Sequence, residues 1–300
     1  MCNKMKIGFI GCVESSYMAL STLLGLEYAN VAAVVTRKAS KLNSDFIDLS
    51  ILCSENSIPC HFEDPSNRIN TIEFLSQFDL DVIYCIGWSY LLGDELLEMT
   101  PKGVIGFHPA KLPENRGRHP IIWSIALGMS ETASTFFRMD KGADSGAIVS
   151  QKVIEISRDE NARSLYTKIL NVSQEQIITL TKKLSKESLE FIEQDHSKAT
   201  YWRKRSRKDG LIDWRMSAES IHNLIRALSK PYPGAEFNWN GVLVPVFSSS
   251  LEAESKPINC EPGKVLARLN SDLLVKCAGR DAIWIRNLNC LELPTVGEYL

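Results

Sequence analysis

The sequence predicts an α/β fold in which a doubly wound parallel sheet is followed by a smaller β-rich, barrel-like module. Three observations carry this. Short apolar runs alternate with helix-like stretches over the first part of the chain, the texture of parallel strands covered on both faces. A long helical stretch, roughly 161–194, then gives way to a basic, polar link, R-K-R-S-R-K-D-G at 203–210. Beyond the link the apolar runs are short and punctuated by turns, as in small barrels or sandwiches. The division expected is a first domain over 1–203 and a second over 204–300.

The elements follow in order. Residues 6–13 (K-I-G-F-I-G-C-V) read as a buried strand, 16–28 as a helix and 31–36 as a second strand. Helical patterns lie near 42–56 and 67–77, and D-V-I-Y-C-I-G at 81–87 reads as a third strand. A short helix around 93–98 leads to a strand at 103–108, and two more strands occupy 134–156 around a Gly-bounded acidic loop. After the link, 217–229 reads as an amphipathic helix and 242–248, 262–269, 272–277 and 282–287 as strands. In a doubly wound sheet, ligands gather beyond the carboxyl ends of the strands. The loops at Gly87, His108 and Asp144 all follow strands.

Composition excludes several classes. Hydrophobic residues make up 44% and charged residues 23% of the 300, which is ordinary for a globular protein and unlike a disordered one. A formal net charge of −2 gives no general pull toward nucleic acid or an anionic membrane. Cys2, Cys12, Cys53, Cys60, Cys85, Cys260, Cys277 and Cys290 form no C-x-x-C pair. Neither a zinc site nor a disulfide framework is expected, and reduced thiols suit a cytoplasmic protein. No apolar run reaches the ~18 residues of a membrane helix. Lys4 and Lys6 ahead of I-G-F-I-G-C give Cys12 a faint lipoprotein-like context, but a first core strand explains the segment better.

The chemistry concentrates between Gly106 and Gly146. G-F-H-P-A-K-L-P-E-N-R-G-R-H-P ends a strand in His108 and opens a loop rich in Pro and Gly; D-K-G-A-D-S-G carries Asp144. An imidazole and a carboxylate brought together at a sheet end form a proton-handling pair, with Asp144 orienting the ring. The bland alternatives are a structural histidine and a solvated turn. His119 is expected to cap a helix over 120–128. G-F-I-G near the start is not G-x-G-x-x-G, so a dinucleotide site is poorly supported. Ser15, Ser16 and Tyr17 open the next helix, whose amides could meet an anionic or hydroxylated substrate. The basic link is either a solvated connector or a phosphate contact.

These motifs resemble those of the formyltetrahydrofolate-dependent formyltransferases, which include the methionyl-tRNA, glycinamide ribonucleotide and nucleotide-sugar enzymes. The likeness runs along most of the chain, through Arg116-Gly117 and on to W-R-K-R-S-R-K-D-G-L-I-D-W and I-R-A-L-S-K-P-Y-P-G-A. It implies a Rossmann-like first domain that binds 10-formyltetrahydrofolate as co-substrate. Ile86, Gly87, Trp88, Tyr90 and Leu91 would cradle the pterin, largely through backbone groups, with Asp140 and Gly142 of the acidic loop. His108 would take the proton of the attacking amine, with Asp144 orienting it. The family's oxyanion asparagine falls where this chain has Gly106. Asn115 is the candidate replacement, and Lys111 a weaker one.

For the acceptor, the resemblance favours a nucleotide-linked amino sugar, on a UDP- or dTDP-hexose or a CMP-nonulosonic acid such as a pseudaminic acid derivative. Ser15, Ser16, Tyr17, Arg116, Arg118, Lys204 and Arg226 are the candidate substrate contacts. The slightly acidic chain ranks tRNA low and the extra module argues against the purine enzyme, so no nucleic-acid partner is expected. Hydrolysis of the formyl donor and an inactive binding module are the alternatives. No membrane partner is expected, and a homodimer is compatible with everything above.

Overall fold

The computed structural model describes residues 4–39, 44–64, 69–289 and 292–300. Cys2 and Cys290, and the first residues of the helices expected at 42–56 and 67–77, lie outside them. The chain forms two compact units.

The first unit is built on a seven-stranded sheet in the order β3-β2-β1-β4-β5-β7-β8. Its strands are β1 (Met5–Ile10), β2 (Ala29–Thr36), β3 (Cys60–Phe62), β4 (Val82–Cys85), β5 (Val104–His108), β7 (Glu131–Arg138) and β8 (Ile148–Glu155). The first five are parallel neighbours, whereas β5 pairs with β7 antiparallel. The sheet is therefore mostly parallel, as the sequence pattern predicts, with an antiparallel pairing at one side. Apolar periodicity records which faces are buried but not which way a strand runs.

Burial on both faces explains the unbroken apolar strands. Ile7 and Phe9 of β1, Val82 and Tyr84 of β4 and Ile105 of β5 join one core; Ile10, Ile83, Cys85 and Val104 join the other. The register of β1 on β2 shifts between Ile7 and Gly8, so Val31 and Val34 share one core while Ala33 and Val35 share the other. The first core is covered by α1 (Glu14–Leu24) and by Ile177, Leu180 and Leu184 of α6 (Ala162–Ser185). Tyr84 and Thr181 share a buried hydroxyl–hydroxyl bond of 2.7 Å that pins α6 to β4. The second core takes Leu75 of α3 (Ile69–Leu75) and Leu96 and Leu97 of α4 (Asp94–Leu97). Between β2 and β3 lies α2 (Ser50–Glu55), shorter than the pattern predicts; ahead of it the Asp48 carboxylate accepts from the Ser50 amide at 2.9 Å. Two short strands, β6 (Arg116–Gly117) and β9 (Tyr201–Trp202), form a separate parallel pair.

The second unit holds α5 (Pro120–Ala126), α7 (Ala218–Ala227) and antiparallel strands. β10 (Ala235–Trp239) pairs with β11 (Val242–Val246). β12 (Ser249–Leu251), β13 (Val265–Leu269), β14 (Asp272–Lys276) and β15 (Ala282–Ile285) form a four-stranded sheet in the order β12-β15-β14-β13. Residues 118–131 and 155–166 also pack with this unit although they precede 203. The basic link is folded rather than merely solvated. A 3₁₀ turn over Arg207–Gly210 is closed by Asp209, whose carboxylate accepts from the Ser206 amide at 2.6 Å and from the Arg203 guanidinium. No helix among the described residues is long and apolar enough to cross a membrane.

Candidate active site

The five parallel strands end along one edge, and β5 delivers His108 there. The imidazole is buried. Its Nε2 lies 2.8 Å from the Asn115 carbonyl, and a carbonyl only accepts, so Nε2 carries a hydrogen. Nδ1 then faces Asp144, whose Oδ2 is 3.6 Å away. The pair expected from the motif spacing is brought together, with Asn115 as a third member through its backbone.

Each member is held from behind. The loop after His108 is pinned by Thr132 donating to the Pro109 carbonyl at 3.1 Å, Thr135 to Ala110 at 2.7 Å and Gln151 to Leu112 at 2.9 Å. Asn115 has a left-handed φ of 65° and donates its amide to Thr200 Oγ1 at 2.8 Å. Thr200 donates in turn to Asn115 Oδ1 at 3.4 Å. Among the described residues the Asn115 side-chain nitrogen makes no hydrogen bond. Gly117 donates its amide to Asp144 Oδ2 at 2.8 Å. It sits at φ 105°, and a Cβ there would lie 2.4 Å from the Trp202 carbonyl, so only glycine lets β6 lie against β9.

Arg116 departs from its expected role as a substrate contact. It is 1% exposed, and its donors go to Gln194 Oε1 at 2.6 and 3.2 Å, Tyr201 Oη at 2.9 Å and His196 Nδ1 at 3.1 Å. Gln194 also donates to the carbonyls of Asp144 at 2.9 Å and Gly146 at 2.6 Å. One carboxamide thereby ties the Arg116 strand to the Asp144 loop. Neither Gln194 nor Thr200 has a sequence signal: both lie in the irregular stretch after α6, and only the fold brings them here.

Gly106 lies mid-strand, paired in register with Cys85 on one side and Phe137 on the other. A Cβ there would stand 2.7 Å from Met139 Cγ and 3.0 Å from Phe137 Cζ. The space a side chain at 106 needs is filled by Met139 and Phe137.

The remaining candidates divide. Ser16 is fully buried: its Oγ accepts from the Cys12 and Val13 amides at 3.0 and 3.1 Å and donates to the Ile86 carbonyl at 2.6 Å. The Glu14 amide goes to the Asp45 carbonyl at 2.9 Å. These three amides are spent on the protein, so the start of α1 is not an open anion cradle at those positions and Ser16 is a brace rather than a substrate contact. Ser15 is buried, whereas Tyr17 is 43% exposed. Ile86 is buried, its amide donating to the Ile10 carbonyl at 2.9 Å and its carbonyl accepting from Ser16 Oγ, so its backbone is taken up within the protein. Trp88 and Tyr90 pack edge to face at 6.1 Å between centroids, and Leu91 is 58% exposed. Asp140 Oδ1 accepts from the Gly142 amide at 3.0 Å and Ser145 Oγ at 2.6 Å, so Asp140 and Gly142 shape their own loop.

In the second unit, Arg118 and Lys204 are exposed. Arg226 departs from its expected role: its guanidinium donates to the Glu160 carbonyl at 2.7 Å and to Asn223 Oδ1 at 2.9 Å, and so fastens α7 within its own unit. His119 stands at the N-cap position of α5 in a left-handed conformation without a side-chain cap bond, so it precedes the helix without capping it. Burial first, then the nearby Arg205, Arg118 and Lys204 charges, push its imidazole below the ordinary histidine range.

Residues 13–181 match the family described as Formyl transferase, and 204–292 its C-terminal domain. The chain belongs to the formyl transferase family. Solved structures share the fold at low identity. WlaRD, a sugar 3N-formyl transferase in the presence of dTDP and 5-N-formyl-THF, is 19% identical over 96% of this chain and 100% of its own, with a TM-score of 0.71. The N-formyltransferase of Helicobacter canadensis, in complex with folinic acid and dTDP-3-aminofucose, is 17% identical over 94% and 98%, also at 0.71. Methionyl-tRNA formyltransferase from Clostridium thermocellum is 17% identical over 83% and 94%, at 0.59. In this formyl transferase the histidine and aspartate of the motif are neighbours, and position 106 is a glycine walled in by Met139.

Proposed function

We propose that this formyl transferase moves the formyl group of 10-formyltetrahydrofolate onto the amine of a nucleotide-linked amino sugar. The observation that carries the reading is the His108–Asp144 pair at 3.6 Å, closed by the Asn115 carbonyl and the Gly117 amide. The acceptor class is supported by the two sugar formyltransferases whose full length, second unit included, is matched by this chain. The nucleotide and sugar belong to the UDP- or dTDP-hexose or CMP-nonulosonic class, with Tyr17 the remaining candidate contact in the first unit.

The residues suit the folate. Trp88 and Leu92, which follow β4, pack partly buried against the apolar cluster that holds Leu96, Leu97 and Val104. A flat pterin would be met by backbone groups of the irregular Gly87–Leu91 loop and by the exposed Leu91. When bound, the co-substrate brings a formyl group already activated for transfer. Since His108 Nε2 is committed as donor to Asn115, Nδ1 is the atom that takes the proton lost by the attacking amine. The resulting imidazolium lies between two acceptors, the Asn115 carbonyl and Asp144 Oδ2, both held in place beforehand, and with Asp144 it returns that proton to the folate nitrogen as the bond to the formyl carbon breaks. Asp144 is kept from turning by Gly117. The Asn115 side-chain nitrogen supplies the donor to the formyl oxygen as charge develops there, a role Gly106 has no side chain to perform.

Incubation with 10-formyltetrahydrofolate and a panel of amino sugar nucleotides tests the reading by mass spectrometry. An acceptor heavier by one formyl group is expected, with methionyl-tRNA unmodified. Folate turnover without acceptor modification would instead support hydrolysis. His108→Ala should lower the transfer rate by at least about 10²-fold without altering the fold; near-normal turnover would take His108 out of the chemistry.

A further inference from the structure

We infer that Arg37 is a positioning residue for the folate-side loop, clamping Trp88 and Tyr90 so that Gly87–Leu91 is held in its binding shape before the ligand arrives. The inference rests on the proposed folate reading of that loop. Arg37 is the first residue beyond β2 and so emerges at the same sheet edge as Gly87, which follows β4 by two residues. It is 9% exposed, unusual for arginine outside an ion-pair network. Its Nη1 donates to Tyr90 Oη at 2.9 Å. The guanidinium carbon lies 4.4 Å from the Tyr90 ring centroid and 5.5 Å from that of Trp88. Nη2 is 3.5 Å from Glu63 Oε2, just past the end of β3. One buried cation thus joins the ends of β2 and β3 to the loop after β4.

The physical need is plain. The loop has no ladder of its own, and ordering it on binding would cost conformational entropy. Cation–π contacts strengthen when desolvated, and Glu63 offsets the burial of the guanidinium charge. Trp88 Nε1 is buried and finds no acceptor among the described residues, so the loop holds its indole inward at a cost in hydrogen bonding. Turned toward Arg37, the two aromatic side chains serve the loop's shape and leave backbone groups and the exposed Leu91 to meet a ligand.

The test is equilibrium binding of 5-formyltetrahydrofolate, combined with KM and kcat for 10-formyltetrahydrofolate. Arg37→Met should raise Kd and KM about tenfold while kcat stays within about twofold, and Arg37→Lys should recover part of the loss. Tyr90→Phe removes one hydroxyl without threatening the fold and should raise Kd about threefold; it decides alone if Arg37→Met does not fold. Unchanged binding in both variants, or a fall in kcat with KM constant, overturns the inference. Failure of the unaltered protein to bind 5-formyltetrahydrofolate removes the folate reading and the inference with it.

Discussion

At the scale of single residues, the site depends on groups that never touch substrate. Gln194 holds Arg116 with its oxygen and the Asp144 loop with its nitrogen. Gln194→Ala strands a buried guanidinium and frees the Asp144 backbone. It should cost about 2–3 kcal/mol of stability, read as a lower melting temperature, and lower kcat as well; an unchanged Tm with normal turnover would show that Arg116 finds another acceptor. Asn115→Ala separates the side chain from the backbone. The carbonyl that holds His108 survives, so kcat should fall about 10²-fold while KM moves little. A loss confined to KM would assign Asn115 to binding. The sequence could place His108 and Asp144 near one another because the motif ends one strand in the histidine and sets the aspartate in the loop after another. Arg116 was not legible, because a basic residue beside glycine in a polar loop carries no mark of burial, and nothing in R-K at the end of β2 announces that Arg37 reaches the loop after β4.

At the scale of elements, β5 and β7 form one device. Their antiparallel pairing sets Phe137 beside Gly106, and Met139 follows to close the space above it. Gly106→Asn alone should destabilise by about 2 kcal/mol through overpacking. Paired with Met139→Ala, the asparagine gains room, and the double variant should be more stable than the sum of the two single changes predicts. Chemical denaturation of the three variants measures the coupling; strict additivity would mean that the two positions do not share the space. The long helices and central strands were readable from apolar periodicity. β3, β9 and β12 span two or three residues each, too short to establish a period, and strand direction leaves no trace in composition.

At the scale of the whole molecule, the second unit carries several groups whose titration is set by the fold. Hydrogen bonds from Arg203 to Asp209 and from Arg207 to Glu236 hold these carboxyls below their ordinary range, and Arg215 takes Asp213 down to about 2. Burial pushes His119 and His222 below the usual imidazole value. All five values are depressed by folding, so each group's stabilisation is present above its unfolded pKa and is lost as pH falls toward the folded one. Stability should decline first below about pH 6.5 through the histidines and again below about pH 4 through the carboxylates. Hydrogen exchange in peptides from 203–300 should quicken over both ranges; protection that holds or rises between pH 7 and 3 would contradict this. The two-module organisation was legible because the texture changes at the basic link. Its interleaving was not, since 118–131 and 155–166 look like any other part of the first module until they are seen packed with the second. That interleaving limits how such enzymes can be recombined. A cassette excised at residue 203 would leave behind two stretches that belong with it, among them α5 with its buried Ile121 and Ile125. A tail transplanted from a relative would have to fit those stretches too, so chimeras joined at the basic link should inherit compatibility from sites far upstream of the splice.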